Sequence, residues 1–402
     1  MNPRYVSLFS GAGGLDIGLE RAGLEAISLC ELEAVFCETL RGNQGWQHSD
    51  GIAYLGSAKI INADIRELDH QQLFTGRELD LVVGGPPCQA FSSAGKQRSV
   101  LDPRGALIQE FYRIVRDLRP RMFLFENVRG LVTARDKSGE PGGVLTELIR
   151  ILESIGYSCR AALLNSADYG SYQRRVRCFI MGSRNGEAPE FPEPEFQKHA
   201  GFYGRKWRTL GEFLSACADP VEANHAYPTR QLADRLKDIP AGCGIRSPGK
   251  AEATRPGGHW GYRQGTFIAD LNLPARTVTG STSQDWVRWN GVLRRLSFDE
   301  IKLLQGFPND WTVRGTKSQC YKQIGNSVPT AFGEALGKVI ISHLREFPDG
   351  SPIRIEVPES LRVYMEYTKK DHARNKETRT VHRQFASTES GEFVPSTTGS
   401  QP

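Results

Sequence analysis

The sequence has no pair of cysteines at C-x-x-C spacing, no apolar run of membrane-spanning length and little net charge. Each absence excludes something. The eight cysteines (Cys30, Cys37, Cys88, Cys159, Cys178, Cys217, Cys243 and Cys320) are scattered, so a structural zinc site has no ligand spacing to stand on. A chain of 402 residues that is 39% hydrophobic can bury a full core without disulfide staples. A strand pattern starts at Tyr5, with no secretory leader read before it. Free thiols in a soluble, cytoplasmic protein are therefore expected. A spanning helix would need about 20 consecutive apolar residues, and no membrane association is expected. The net charge of +5 permits nucleic-acid binding without arguing for it, so any basic surface must be local.

What the sequence does contain is alternation. Short apolar runs at Tyr5–Phe9, Ala26–Cys30, Lys59–Ala63, Leu79–Val83, Met122–Phe125, Arg160–Asn165 and Cys178–Gly182 read as strands. Between several of them apolar residues recur at helical steps, as in Leu107, Phe111, Ile114, Val115 and Leu118, or Leu145, Leu148, Ile149 and Leu152. This predicts an α/β domain around a mostly parallel sheet. The stretch from Asn185 to Glu195 is rich in Pro and Glu and reads as a linker. Weak periodicity from there to about Gly291 predicts a smaller, irregular second domain. Helices are expected again at Asp299–Leu304 and Ala331–Leu344. The polar end, Ser387 to Pro402, is expected to be disordered.

A glycine-rich turn, Ser7 to Gly14, follows the first strand and enters a helix. Glycines let backbone approach a ligand closely, and a helix N-terminus offers free amides. The dinucleotide fingerprint fails, because Asp16 stands where the third glycine belongs, which weakens a nicotinamide reading. Glu31 closes the second apolar run, about 20 residues on, where a carboxylate can accept from ribose hydroxyls. Asp64 ends the third run and could face an adenine amino group. Taken singly, each acid reads equally well as a helix cap.

The run Leu79 to Gly95 contains a strand, two glycines, two prolines and then Cys88. Each proline fixes φ and removes a donor, so the thiol is presented on a stiff loop at the sheet's C-terminal edge. An anonymous cysteine is most often a small buried hydrophobe, but this context favours a nucleophile. Another strand ends in Glu126, whose burial would raise its pKa and let it donate a proton. Arg175 and Arg177, two residues apart, would point to one face at a strand entrance and could hold Glu126, the thiolate or a base carbonyl. The plain alternative is a solvated basic edge.

Phe9-Ser-Gly-Ala-Gly-Gly, Gly85-Pro-Pro-Cys-Gln, Glu126-Asn-Val and Gln173-Arg-Arg-Val-Arg, in that order, resemble the motifs of the cytosine-5 DNA methyltransferase family. Arg294 to Pro308 is similar to the family's ninth motif, and Tyr321 to Thr330 to its tenth. The resemblance implies a Rossmann-like, S-adenosylmethionine-dependent methyltransferase domain with a smaller target-recognition domain. It implies Cys88 as nucleophile, with Glu126, Arg175 and Arg177 as its catalytic partners. It places Phe9, Ser10, Gly11, Gly13, Glu31, Asp64, Ile65, Pro86 and Leu107 at the cofactor, with Asn326 and Val328 returning from the far end of the chain. No metal is expected. The catalytic domain would be discontinuous, 1–184 and 318–347, with the last helix beside the first strand. Residues 185–317 would read DNA, and 348–402 would be a C-terminal extension.

The resemblance further implies a monomer that flips the target cytosine out of double-stranded DNA, paired functionally with a cognate restriction endonuclease as in bacterial modification enzymes. Basic and aromatic residues mix at Tyr203–Arg208 and again among Arg246, Lys250, Arg255, His259, Trp260, Tyr262 and Arg263, as phosphate and base contacts require. A transfer-RNA cytosine-5 methyltransferase and a catalytically silent DNA-binding regulator are the alternatives. The long segment between the eighth and ninth motifs favours DNA over the first, and the retained nucleophile and cofactor motifs disfavour the second.

Overall fold

The computed structural model describes residues 2–87, 106–136, 138–184, 186–199, 204–217, 225–249, 251 and 266–347. Cys88 therefore lies outside the described residues, as do Lys250, Arg255, His259, Trp260, Tyr262, Arg263 and the extension from 348.

The first half alternates strands and helices as expected. It runs β1 (Arg4–Leu8), α1 (Gly14–Ala22), β2 (Glu25–Glu31), α2 (Ala34–Asn43), β3 (Lys59–Asn62), α3 (His70–Leu73), β4 (Leu81–Gly84), α4 (Ala106–Leu118), β5 (Met122–Val128), α5 (Gly143–Ser154), β6 (Ser158–Asn165) and β7 (Val176–Ser183). These strands form one seven-stranded sheet in the order β3-β2-β1-β4-β5-β7-β6. The pairs β1–β2, β2–β3, β1–β4 and β4–β5 are parallel, and β7 runs antiparallel between β5 and β6.

The period of two along each strand divides the core. Tyr5 and Leu124 face one layer, Val6, Leu8, Phe123 and Phe125 the other, and all are buried. The second layer is closed by Phe111, Ile114 and Val115 of α4 and Leu145, Leu148 and Leu152 of α5, the residues whose spacing predicted those helices. The order reverses between β1 and β4, which opens a crevice at the strands' C-terminal ends.

After the linker come β8 (Phe196–Gln197), β9 (Arg205–Lys206), α6 (Leu210–Ala216) and α7 (Arg230–Leu236). A four-stranded sheet follows from β10 (Cys243–Gly244), β11 (Phe267–Ile268), β12 (Trp286–Trp289) and β13 (Val292–Arg295). Three helices end the described chain: α8 (Phe298–Leu304), α9 (Lys317–Asn326) and α10 (Thr330–Glu346). Thr209, Ser297 and Thr316 start α6, α8 and α9 with capping boxes, each satisfying otherwise orphaned amides.

The last helix, α10, packs mainly on α1 and shares a core cluster with Tyr5 of β1. Gly18 and Gly333 make this possible. A Cβ on Gly18 would stand 2.7 Å from the Gly333 Cα, so the two backbones meet where neither residue has a side chain. Arg21 of α1 locks the crossing by donating to the Gly306 carbonyl and to Thr330 Oγ1, both at 3.0 Å. Among the described residues no helix is long and apolar enough to cross a membrane, and Cys30, Cys37, Cys159, Cys178, Cys217, Cys243 and Cys320 are free.

Candidate active site

A cavity of about 670 Å³ occupies the crevice at the sheet reversal, a size suited to a nucleotide-like ligand. Its floor is the turn after β1. The sequence reading placed Phe9 at the end of a strand, but β1 stops at Leu8 and Phe9 turns with φ +57°. For a bulky residue that is a strained conformation, held here at the cavity wall. Ser10 donates its hydroxyl to Ser7 Oγ at 3.0 Å, which fixes the turn. Gly11 N donates to Glu31 Oε2 at 2.9 Å, and Glu33 N donates to Glu31 Oε1 at 2.9 Å. Two amides thus clamp a buried carboxylate at the end of β2 while leaving lone pairs for a ligand's hydroxyls. Asp64, after β3, is paired with Arg66, which holds its carboxyl well below the usual range and keeps it an acceptor.

Most of the predicted cofactor residues meet in this cavity: Phe9, Ser10, Gly11, Glu31, Asp64, Ile65, Pro86, Leu107, Asn326 and Val328 all line it. Gly13 does not. It caps α1 with φ +87°, and a Cβ there would meet Leu40 and Trp311, so it shapes the turn from behind. Gly14 lines the cavity instead. Its bare Cα lies against the Val328 carbonyl and Ser327, which seats the returning chain on the glycine turn.

The chemical end lies across the same space. Glu126 sits near the end of β5, 8% exposed, and its Oε1 is 3.0 Å from Arg177 Nε on the neighbouring antiparallel strand β7. Burial pushes the Glu126 carboxyl up, while the charges of Arg177 and then Arg175 oppose the shift. A Cβ on Gly85 would lie 2.7 Å from Glu126 Oε2, so a side chain here would displace the carboxylate. Asn127 Nδ2 donates to the Pro86 carbonyl at 3.2 Å and ties the Gly85–Pro87 loop to β5. Pro86 and Pro87 line the cavity and lead directly to Cys88 in sequence.

Arg175 and Arg177 both reach the cavity, but with different partners. Arg177 holds Glu126. Arg175, buried just before β7, donates to the carbonyls of Val278 at 2.9 Å, Gly325 at 3.0 Å and Asn326 at 3.2 Å. It acts on Glu126 through charge and on the cavity wall through hydrogen bonds.

Residues 4–342 match the family model of the C-5 cytosine-specific DNA methylases. The chain belongs to that family. The Type II methyltransferase M1.HphI of Haemophilus parahaemolyticus is 31% identical over 350 residues, covering 85% of this chain and 87% of that protein. M.FnuDI of Fusobacterium nucleatum is 32% identical over 358 residues, covering 84% and 94%. In three dimensions the chain resembles the Entamoeba histolytica methyltransferase EhMeth, with a TM-score of 0.59 at 17% identity over 86% of this chain and 99% of that one. A member of this family methylates C5 of cytosine in DNA, and the family uses S-adenosylmethionine. The fold is the Rossmann-like methyltransferase architecture that the motifs implied.

The methylase cavity also has walls that motif reading missed. Asp16, in the first turn of α1, is buried there, and burial pushes its carboxyl from an ordinary value of 3.8 up to about 6. Lys322 of α9 reaches over the mouth to Glu33 at 3.0 Å. Thr277, Val278, Thr279 and Gly280 come from the segment before β12 and complete the wall beside Asn326. Lys322 stood inside a quoted motif, but nothing in its spacing signalled a cavity position. The 277–280 run carried no signal at all.

Around the second sheet, arginines stack on aromatic faces. Arg276 lies 4.1 Å from the Phe267 ring centroid, Arg295 4.5 Å from Trp286, and Arg208 5.3 Å from Tyr172. Of the predicted basic–aromatic stretch at Tyr203–Arg208, Trp207 is thus tied down structurally, its Nε1 donating to Asp168 at 2.7 Å, while Arg205 and Lys206 stay exposed.

Proposed function

We propose that this methylase modifies a short duplex sequence through covalent attack by Cys88 on C6 of a flipped-out cytosine. The observation that carries the reading is the buried Glu126–Arg177 pair, which shares one cavity with Glu31 and the glycine turn and lies beside the loop leading to Cys88. S-adenosylmethionine fits the donor set: Glu31 for ribose hydroxyls, Asp64 for the adenine amino group, amides at the glycine turn for the amino-acid end, and Asn326 and Val328 as the far wall. When bound, it supplies a sulfonium-activated methyl group, the electrophile that an electron-rich C5 requires.

The protein's own residues prepare that carbon. Addition of the Cys88 thiolate at C6 makes C5 enamine-like. Glu126, whose carboxyl burial pushes upward against the charges of Arg177 and Arg175, binds N3 and the amino group as charge develops on the ring. Arg177 orients Glu126 and holds the O2 edge. Arg175 keeps the wall in place behind them. Transfer of the C5 proton to a base, water being the simplest, and expulsion of the thiolate then restore the aromatic ring.

Residues 1–184 and 318–347 form the catalytic part in this account, and 185–317 the target-recognition part. The packing of 298–317 argues for drawing that second boundary earlier, near 297. Phe307 and Trp311 join the core beside Leu40 and Tyr54, and Asn43 Nδ2 donates to the Thr312 carbonyl. The bacterial Type II methyltransferases it resembles support a cognate endonuclease as functional partner, and a monomer acting on DNA in a bacterial cytoplasm completes this reading.

A duplex carrying 5-fluorocytosine in place of cytosine tests the covalent step, because fluorine at C5 blocks the final elimination. Incubation with S-adenosylmethionine should give a denaturation-resistant protein–DNA complex that Cys88→Ser does not form. Equal complex from both proteins would refute Cys88 as nucleophile.

A further inference from the structure

One buried polar chain joins the segment before β12 to the end of α9. Val278 N donates to Gln173 Oε1 at 2.8 Å. Gln173 Nε2 donates to Gln305 Oε1 at 2.8 Å. Gln305 Nε2 donates to the Ile324 carbonyl at 2.6 Å and lies 3.4 Å from that of Ser327. Arg175 runs parallel, joining the Val278 carbonyl to those of Gly325 and Asn326. Gln173 is 0%, Gln305 1% and Arg175 3% exposed.

The two ends of this chain meet the same cavity. Val278 belongs to the run Thr277–Gly280, and the carbonyls at the other end belong to the last turn of α9, immediately before Val328. Those carbonyls have no partners within the helix, so side chains must supply them. The walls also touch directly: a Cβ on Gly280 would stand 3.2 Å from Asn326 Oδ1. Glutamine suits both positions because one amide accepts at one end and donates at the other, so two in series carry a hydrogen bond across a gap neither backbone can close. A network this buried is effective only when complete, since one missing member leaves its neighbours unpaired.

We infer that Gln173 and Gln305 are positioning residues that hold the recognition-side wall (Thr277–Gly280) in register with the cofactor-side wall (Asn326–Val328). Through them, occupation of the cofactor cavity and engagement of DNA reinforce each other. This rests on the functional reading above. A ligand that orders Asn326 and Val328 also orders Val278, and DNA that orders the recognition side returns the favour by the same factor.

The test is calorimetric binding of S-adenosylhomocysteine, with and without an unmethylated plasmid that the wild-type enzyme methylates. Wild type should bind it more tightly in the presence of DNA, by about fivefold or more. In Gln173→Met and Gln305→Met the ratio should fall toward one, with KM for S-adenosylmethionine raised and kcat at saturation much less affected. Gln305→Asn, still polar but too short to reach both partners, should show the same loss and serves if a methionine variant does not fold. Leu148→Ala, in the core beneath α5 and outside the chain of amides, should lower the melting temperature and keep the wild-type ratio. A wild-type ratio of one, glutamine variants that keep the ratio, or a Leu148→Ala protein that loses it equally would overturn the inference. Failure of the wild type to bind S-adenosylhomocysteine or to methylate the plasmid would instead refute the functional reading.

Discussion

In the proposed mechanism Glu126 concentrates the chemistry in one side chain. It is buried, its carboxyl is pushed up, and Arg177 fixes its orientation. Glu126→Gln keeps the shape and removes the ability to donate a proton and accept charge. It should lower kcat by about 100- to 1000-fold, the range for losing one preorganised stabilising group, with KM for the cofactor nearly unchanged in steady-state methylation assays. Asp16 offers a test of burial instead. Its folded-state pKa, about 6, lies above the ordinary 3.8. It is therefore neutral without penalty below the lower value, and its contribution to stability is lost as pH rises through the upper one, an effect of about 3 kcal/mol. Asp16→Asn should melt above wild type near pH 8, with the gain shrinking toward about pH 5 in a pH series of melting curves. Glu126, Glu31 and Asp64 were legible in the sequence because each ends an apolar run, where open α/β sheets present ligands. Asp16, Lys322 and Gln305 were not, because their positions depend on helices meeting from distant parts of the chain.

Among elements, the pairing of α1 with α10 holds the discontinuous fold together. It rests on Gly18 against Gly333, with Arg21 bridging to Gly306 and Thr330. Gly333→Ala would place a methyl against the Leu15 carbonyl and the Gly18 Cα. The crossing must then open, at a cost of about 1–3 kcal/mol by analogy with overpacked cores. Urea unfolding should report that loss, and cofactor affinity should fall with it because α1 begins at the glycine turn. The long strands and helices of the first half were readable from period two and period 3.6. The strands β8 to β11 were not, since each has two residues and is defined by its partner. The close crossing of α10 on α1 was not readable either. Two glycines in separate helices announce a close approach only once the helices are known to cross.

At the scale of the whole molecule, the Arg121 guanidinium closes the catalytic part by donating to the Leu344 carbonyl at 2.6 Å, while also pairing with Asp80. A chain ending at Phe347 retains these contacts. It should keep kcat within about threefold of the full chain. The α/β class and the return of Asn326 and Val328 to the cavity were legible because motifs fix what the strands carry. The shared wall of Thr277–Gly280 and Asn326 was not, since it is made by tertiary contact alone.

The central claim is that this one cavity methylates cytosine C5 in DNA through Cys88. The most direct measurement is incorporation of a labelled methyl group from S-adenosylmethionine into unmethylated duplex DNA, wild type beside Cys88→Ser, followed by bisulfite sequencing. The account predicts label at C5 of cytosine within one short sequence, abolished in the variant. Label at another atom or base, or undiminished incorporation by Cys88→Ser, would contradict it.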